Sequence, residues 1–369
     1  MFGFPNVPRR ALAAAAAVSL AALGVGACGG SSASPGSSAG SSRVGKGGST
    51  ARSSTSGDRP TLVVYSAQGY DKDTVKAFQA ATGIPTKLVD DSTGPLLARI
   101  AAERANPQWG LLWVDGDEAF AGLDRQGLLR KGLSAPALTP AGRSVTPADH
   151  SYVPTGLTIA GTLVYDSRAV KQPPSDFQQL LAPQWRGKVG MNNPAVSGPT
   201  FPFVAGRMAA LGGVAQGEAY FRALKANGLH VFQTNPDTLH ALQTGQIQVA
   251  LIQSSAGIGA AVKTPSIKTA FLPTVTLLPG AIGVDAKAPP AVQREAQQFI
   301  DFVLSPPGQK AMQGGDPTGD SLYWPVVSST APLGPLPALS GIRYSRIDPT
   351  VWGPRESAIN NFFTSSIAR

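Results

Sequence analysis

From about residue 60 onward the chain alternates between short runs that are apolar throughout and longer runs whose apolar positions recur every three or four residues. TLVVYSA (61–67) has the length and β-branched content of a buried strand, and the stretch 71–81 after it puts Val75, Phe78 and Ala81 on one helical face. IPTKLVD (84–90) predicts a second strand, and DDSTGPLLARI opens a second helix, with Leu96, Leu97, Ile100 and Ala101 toward a core and Arg99 paired with Glu103 outside. GLLWVDG (110–116) and DEAFAGLDRQGLL (117–129) predict a third strand and a third helix, with Trp109 and Trp113 in the core. Strand and helix in alternation argue for an α/β fold built on a mostly parallel sheet covered on both faces.

Past Pro147 the texture changes. SYVPTGLTIAGTLVYD (151–166) predicts two extended segments leaving the first lobe, and a second alternating series follows: GKVGMNN, helices from about 200 to 227, LHVFQTN, DTLHALQTG, IQVALIQ and SSAGIGAAV. TVTLLPGAIGVD predicts the return, after which helices over 290–304 and 306–313 complete the first lobe. Two crossings between two α/β lobes make a hinge. The expected organisation is a first lobe over 60–155, a second over 156–278, and a return over 279–369 whose Pro-rich tail from Thr318 wraps the surface.

The first sixty residues have a different composition. Arg9-Arg10, an apolar Ala/Leu/Val run and a small-residue close on Cys28 follow the grammar of an export signal over 1–27, too short for a membrane span. Cys28 is the only cysteine, so it has no internal disulfide partner, and VGAC looks like a lipobox whose cysteine carries the lipid anchor. The Ser/Gly-rich stretch 28–59 is a tether, of end-to-end reach about 30 Å. Gly24, Gly26 and Gly29 fit G-x-G-x-x-G, but no strand precedes and no helix follows. Gly45-Lys46 with Ser49-Thr50 lacks the spacing of a phosphate-gripping P-loop.

Charge and motifs narrow the function classes. The net charge of +9 is concentrated at the start: beyond residue 60, 25 basic residues face 21 acidic ones, and no Lys/Arg-rich block stands in the folded part. Nucleic-acid binding, which needs clustered phosphate contacts, has little support. A secreted hydrolase, the alternative class, would want G-x-S-x-G at a strand-to-helix turn, S-x-x-K or H-E-x-x-H; the chain holds neither of the last two, and its G-x-S-x-G match at 36–40 falls in the Ser/Gly-rich tether, without a strand before it or a helix after it. Asp149-His150, His230 and His240 show no ligand spacing and read as structural or exposed. Tyr323-Trp324 reads as packing, with a cover over the cleft as the other option. Nothing points to a resident cofactor.

The polar loops carry the chemistry. Ligands gather at the carboxyl ends of strands in such sheets, where Ser66, Asp91-Ser92-Thr93 and Asp115-Gly116-Asp117 fall. Helix starts expose unpaired N–H groups, so they receive anions readily. The second lobe repeats the pattern in NNPAVSGPTF with Asn193, Ser197 and Thr200, in TNPDT with Asn235 and Thr238, and in IQSSAG with Gln253, Ser254 and Ser255. Any one of these loops reads as a helix cap, Ser92 or Thr93 for the second helix, and recurrence in both lobes raises the binding reading.

LVVYSAQGYDKDTVKAFQAATGI, DDSTGPLLARI, VDGDEAFAGLDRQGLL, GMNNPAVSGPTFPFVAG, LKANGLHVFQTN, TGQIQVALIQSSA and DFVLSPPGQKAM together resemble the extracellular solute-binding proteins of ABC importers. The branch is the one labelled ferric-iron binding, with phosphonate, sugar-phosphate and thiamine binders as relatives, and the resemblance covers essentially everything after residue 60. It implies a two-lobed type 2 periplasmic-binding fold, monomeric, that closes on a small ligand and delivers it to a permease in the cytoplasmic membrane, with the lipid anchor holding it at that membrane's outer face. The ligand it implies is an iron(III) compound or a phosphate- or carboxylate-bearing solute, with thiamine or thiamine phosphate as the alternative. Ferric binders of the family use adjacent tyrosines, and the matching stretch here is ALIQSSAGIG, without tyrosine. Tyr65, Tyr70, Asp91, Asp115 or Asp117 can offer hard oxygens to iron, whereas Gln253 to Ser255 suit an anion as neutral donors. Asp90 and Asp91 either repel an anion, receive an ammonium or hydroxyls, or face solvent.

Overall fold

The computed structural model describes residues 59–369; the expected signal over 1–27, Cys28 and the tether up to 58 lie outside the described residues. The chain runs β1 (Leu62–Ser66), α1 (Asp71–Thr82), β2 (Thr86–Asp90), α2 (Thr93–Ala102), β3 (Leu111–Asp115), α3 (Asp117–Arg125), α4 (Pro140–Ser144), β4 (Tyr152–Ala160) and β5 (Thr162–Asp166). It continues with β6 (Val189–Asn192), α5 (Thr200–Ala210), α6 (Val214–Ala226), β7 (His230–Phe232), α7 (Asn235–Gln243), β8 (Val249–Ile252), α8 (Ser254–Lys263) and β9 (Ile267–Ala270). The remainder is β10 (Val275–Val284), α9 (Pro290–Val303), α10 (Pro306–Gly315), β11 (Trp324–Pro325), β12 (Tyr344–Ser345), α11 (Pro349–Trp352) and α12 (Glu356–Ser366).

These elements form two sheets. A seven-stranded sheet has the order β11-β4-β10-β3-β1-β2, with β12 beside the first residues of β10; a five-stranded sheet has the order β7-β6-β8-β5-β9. The pairs β1–β2, β1–β3, β6–β7 and β6–β8 are parallel. The pairs β3–β10, β10–β4, β4–β11, β8–β5 and β5–β9 are antiparallel. Both sheets are thus mixed rather than mostly parallel. Helical crossovers make the parallel neighbours, but β4, β5 and β10 join the sheets without one, and their fully buried apolar runs carry no mark of direction.

The crossings are short. Gly161 alone separates β4 of the first sheet from β5 of the second, and residues 271–274 lead from β9 back into β10. Arg207 braces the return: its guanidinium lies over the Phe177 and Tyr220 rings and its Nη1 donates to Thr274 Oγ1 at 3.0 Å.

The first sheet packs its helices through aromatic side chains. Phe78 of α1 meets Phe299 of α9 at 5.0 Å, and Trp113 of β3 meets the same ring at 5.5 Å. Leu96 and Ile100 of α2 are buried as expected, and Arg99 pairs with Glu103 at 2.8 Å; Leu97 is half-buried and Ala101 is exposed, because α2 covers the sheet with a narrower stripe than its apolar content suggests.

The tail does more than wrap the surface: its Pro-rich part over 328–341 holds no buried residue, but before it the chain adds β11 to the edge of β4 and buries Leu322, Tyr323 and Trp324, and after it α12 carries a fully buried Phe363. Helix α12 packs on α3 at the first sheet, while Phe363 meets Phe221 of α6 at 5.3 Å and Arg222 lies over the Phe362 ring. Prolines interrupt the periodicity of this segment and hide a sparse but steady supply of apolar anchors from Leu322 to Ile367.

Candidate functional site

Strands β2, β1 and β3 are in register, Ser66 pairing with Asp90 on one side and Trp113 on the other, so the loops after them emerge along one edge. The loops after β6, β7 and β8 face that edge, and a cleft of about 540 Å³ lies between. Ser92, Thr93, Asp115, Ser197, Asn235 and Gln253 line it, together with Gln233, Lys263, Asp316 and Asp320.

Helix α2 begins at the cleft wall. Ser92 occupies its N-cap position, yet its side chain makes no capping bond. Thr93 is 3% exposed and its Oγ1 has no hydrogen-bond partner. The hydroxyls expected to cap α2 are therefore not used up by the helix. Gly94 N–H donates to Val196 O at 3.1 Å, which joins the two halves directly. On the facing side Asn192 Nδ2 donates to Asn235 Oδ1 (2.7 Å) and to Ser197 Oγ (3.3 Å), while Thr238 donates to Asn192 Oδ1. Helix α7 is capped by Thr234 and Asp237, so Asn235 falls in its first turn instead of at its cap.

A carboxylate network forms the floor. Asp115 Oδ1 accepts from Gln68 Nε2 at 2.9 Å and its Oδ2 from Gln253 Nε2 at 2.8 Å. Gln253 belongs to the second half, so this is another bond across the cleft. Asp320 Oδ2 accepts from Gly69 N–H (3.0 Å) and its Oδ1 from Ser255 Oγ (3.4 Å), while Asp316 Oδ2 accepts from Asp320 N–H (2.8 Å). Asp320 opens onto the cleft but is enclosed by protein at longer range; burial, then the neighbouring Asp115, push its carboxyl up to about 7. Burial raises Asp115 as well, against the two amide donors.

Other sequence-predicted residues lie elsewhere or behind the wall. Ser66 is fully buried and accepts from Gln68 N–H, ordering its own loop. Tyr70 is buried at a void of about 10 Å³ beside the cleft, its ring 5.4 Å from Trp113 and 5.7 Å from Tyr323. Burial first, then Asp115, push its hydroxyl well up, so it is no ready phenolate. Tyr65 donates to Glu103 at 2.9 Å, outside the cleft. Asp91 is exposed and accepts from Ser92 N–H at 2.7 Å, and Asp90 pairs with Lys72. Asp117 is buried near Arg346 and Asp348 at the head of α3. Asn193 accepts from Ala195 N–H in a turn, Thr200 is buried in the first turn of α5, and Ser254 accepts from Ile159 N–H of β4. Asn193 and Ser254 are thus engaged by backbone N–H groups, one two residues away and the other 95 residues away.

Sequence reasoning missed Gln68, Asp316, Thr318, Gly319, Asp320 and Lys263. DPTGD (316–320) is short, polar and rich in turn formers, which signals a loop but not that the loop returns to the ends of β1 and β3.

The buried acids give the ligand-free protein a pH signature. Burial raises Asp71 and Asp117 to about 6, and Asp320 and Glu356 to about 7. Groups whose folded pKa is raised bind protons more tightly in the native state, so their stabilising contribution is complete below about pH 4 and is lost as pH rises toward 7. Carboxyls that are lowered, such as Asp166 at about 2, act oppositely but only below about pH 4. Urea unfolding is expected to give lower stability at pH 8 than at pH 5. Asp320→Asn should flatten that slope by about 2 kcal/mol; an unchanged slope would remove Asp320 as its source.

A family model described as bacterial extracellular solute-binding protein matches residues 73–336. A periplasmic protein of Salmonella paratyphi A, named for binding 2-aminoethylphosphonate, is 25% identical over 262 residues, 67% of this chain and 75% of its own. Iron-bound HitA from Pseudomonas aeruginosa is similar in structure with a TM-score of 0.71 at 22% identity, over 83% of this chain and 99% of that one. AfuA from Actinobacillus pleuropneumoniae, with fructose-6-phosphate bound, gives 0.73 at 18% identity, over 83% and 98%. At these identities the structural likeness speaks for the fold, a two-lobed type 2 periplasmic-binding architecture.

Proposed function

Because this chain belongs to the bacterial extracellular solute-binding proteins, we propose that it is the capture component of an ABC importer, held by a lipid on Cys28 at the outer face of the cytoplasmic membrane and delivering its ligand to a permease there. One observation carries the reading. Polar groups from both halves line a single cleft, and the halves touch across it through Gly94–Val196 and Asp115–Gln253. A ligand that contacts both walls stabilises the closed arrangement over the open one and so drives closure.

The wall chemistry favours an organic anion over free Fe(III). Hydroxyls at the start of α2, which the helix does not use as caps, suit phosphate, phosphonate or carboxylate oxygens. Hard oxygens for iron are offered as Asp115 and Asp320, whose oxygens already accept from amide and hydroxyl donors. Thiamine phosphate remains a member of the favoured class. The cleft serines have no histidine among the lining residues to serve as base, which supports a binding role over hydrolysis.

A thermal-shift panel of inorganic phosphate, 2-aminoethylphosphonate, sugar phosphates, thiamine, thiamine phosphate and ferric citrate tests this, since a bound ligand raises stability by mass action. For the member that binds, Thr93→Ala combined with Ser197→Ala is expected to weaken affinity about tenfold or more, each hydrogen bond contributing about 1 kcal/mol, with the melting of the free protein nearly unchanged. An unaltered dissociation constant would take these two loops out of the site.

A further inference from the structure

We propose that Thr274 is a strained pivot of the hinge: Arg207 holds it in a left-handed backbone conformation in the closed arrangement alone, so closure is opposed at one crossing and release is eased. The proposal rests on the solute-capture reading above and adds to it a device that sets how firmly the cleft shuts.

The strain is local. Leu272-Pro273-Thr274-Val275 forms a turn in which Val275 N–H donates to Leu272 O at 3.2 Å, and Thr274, third in the turn, has φ +67°. Proline followed by a positive φ is the pattern of a type II turn, whose third position asks for Gly or Asn. Thr274 is the one β-branched residue with positive φ among the described residues, and there its Cβ crowds the backbone carbonyl that follows. What suits threonine to the place is its hydroxyl. Thr274 Oγ1 accepts from Arg207 Nη1 at 3.0 Å, and it is the one acceptor that this buried guanidinium reaches among the described residues, since Arg207 Nε has no partner.

The two crossings are unequal. Gly161 makes the first at φ +74°, and glycine takes either sign of φ about equally well. The second carries the strain, and helix α5 lies on both. A Cβ on Gly161 would meet the Phe203 ring at 2.0 Å, a Cβ on Gly206 would meet Thr276 Oγ1 of β10 at 2.0 Å, and Arg207 holds Thr274. Positions 203, 206 and 207 share one helical face. The same helix starts at the cleft. Ser197, Gly198 and Pro199 line the cavity just before it, and a Cβ on Gly116, the residue after β3, would lie 3.4 Å from Pro202 Cγ. Parting the halves therefore turns α5 against β10, and crossing residues absorb such a turn in their φ and ψ. Thr274 then relaxes to the negative φ that threonine prefers. It is a positioning residue, acting on the cleft through α5 without lining it.

The test substitutes Thr274 in the full chain. Asn accepts the left-handed region and keeps an oxygen for Arg207, whereas Val keeps the branched shape and loses the oxygen. Hydrogen exchange of the Gly94 amide, whose partner Val196 O lies across the cleft, reads closure with no solute present. Calorimetry with 2-aminoethylphosphonate and with fructose-6-phosphate reads affinity. Thr274→Asn is expected to slow Gly94 exchange and to tighten binding of whichever probe binds the parent by about tenfold. Thr274→Val is expected to speed that exchange and to weaken binding about fivefold, the loss of one hydrogen bond. Urea unfolding of both variants separates folding from closure. Parental Gly94 exchange and affinity in Thr274→Asn would overturn the proposal, because a rise in urea stability alone places the strain in the open and closed arrangements alike. Faster exchange or weaker binding in that variant would overturn it too. Exchange that shifts as expected while neither probe binds even the parent sustains the pivot and counts against capture of those two solutes.

Discussion

Replacing Gly94 with alanine is expected to weaken ligand binding by about 5- to 150-fold while leaving the melting temperature of the ligand-free protein unchanged. Gly94 stands where the halves meet, and a Cβ there would lie 2.0 Å from Ala195 O and 2.9 Å from the carbonyl carbon behind it. Backbone atoms cannot rotate away, so the closed arrangement is relieved only by parting the halves. Overpacking of this kind costs about 1–3 kcal/mol, and each 1.4 kcal/mol is a factor of ten in affinity. Parting the halves removes this contact, so the variant is expected to fold as well as the parent. Gly198→Ala probes the same junction from the other wall. Its Cβ would lie 2.4 Å from Thr93 Oγ1 and 2.7 Å from Thr93 Cβ, which no rotamer change moves, so it too should weaken binding. Calorimetry with small-angle scattering measures both. A Gly94→Ala protein that still contracts on adding ligand and binds with parental affinity would show that the Gly94–Val196 contact is not part of the bound state.

The second large effect lies at the far end of the chain. Phe363 is fully buried on α12, against Phe221 at 5.3 Å, and Phe→Ala at such a site removes both apolar burial and packing. Phe363→Ala is expected to lower stability by about 3–5 kcal/mol, read as a fall in the urea midpoint at constant slope. A loss under about 1 kcal/mol would mean that the final helix is peripheral after all. Burial is the deciding quantity, because the prolines before α12 give that region the composition of a surface loop.

The contrast between those two sites shows what the chain reveals before it is folded. Strands β1 to β3 and helices α1 to α3 were legible because each carries a strong periodicity of its own and a turn signal at its end. Strand direction in β4 and β10 was not, since a run buried on both faces looks the same whichever way it travels. At the site, Ser92, Thr93, Asp115, Ser197, Asn235 and Gln253 announced themselves as short polar groups at strand-to-helix junctions, and they line the cleft. Ser66, Asn193 and Ser254 have the same local grammar but spend it on backbone partners beside them or across the hinge. Asp320 is the reverse case. Its neighbours Gly69 and Ser255 are 251 and 65 residues away in sequence, and no local pattern encodes a meeting of that kind.

The reach of α12 has a mechanical consequence. Two short strand crossings alone would let the halves swing like a door, but a helix seated on α3 at one side and on α6 at the other adds a third tie that must shear before the mouth can gape.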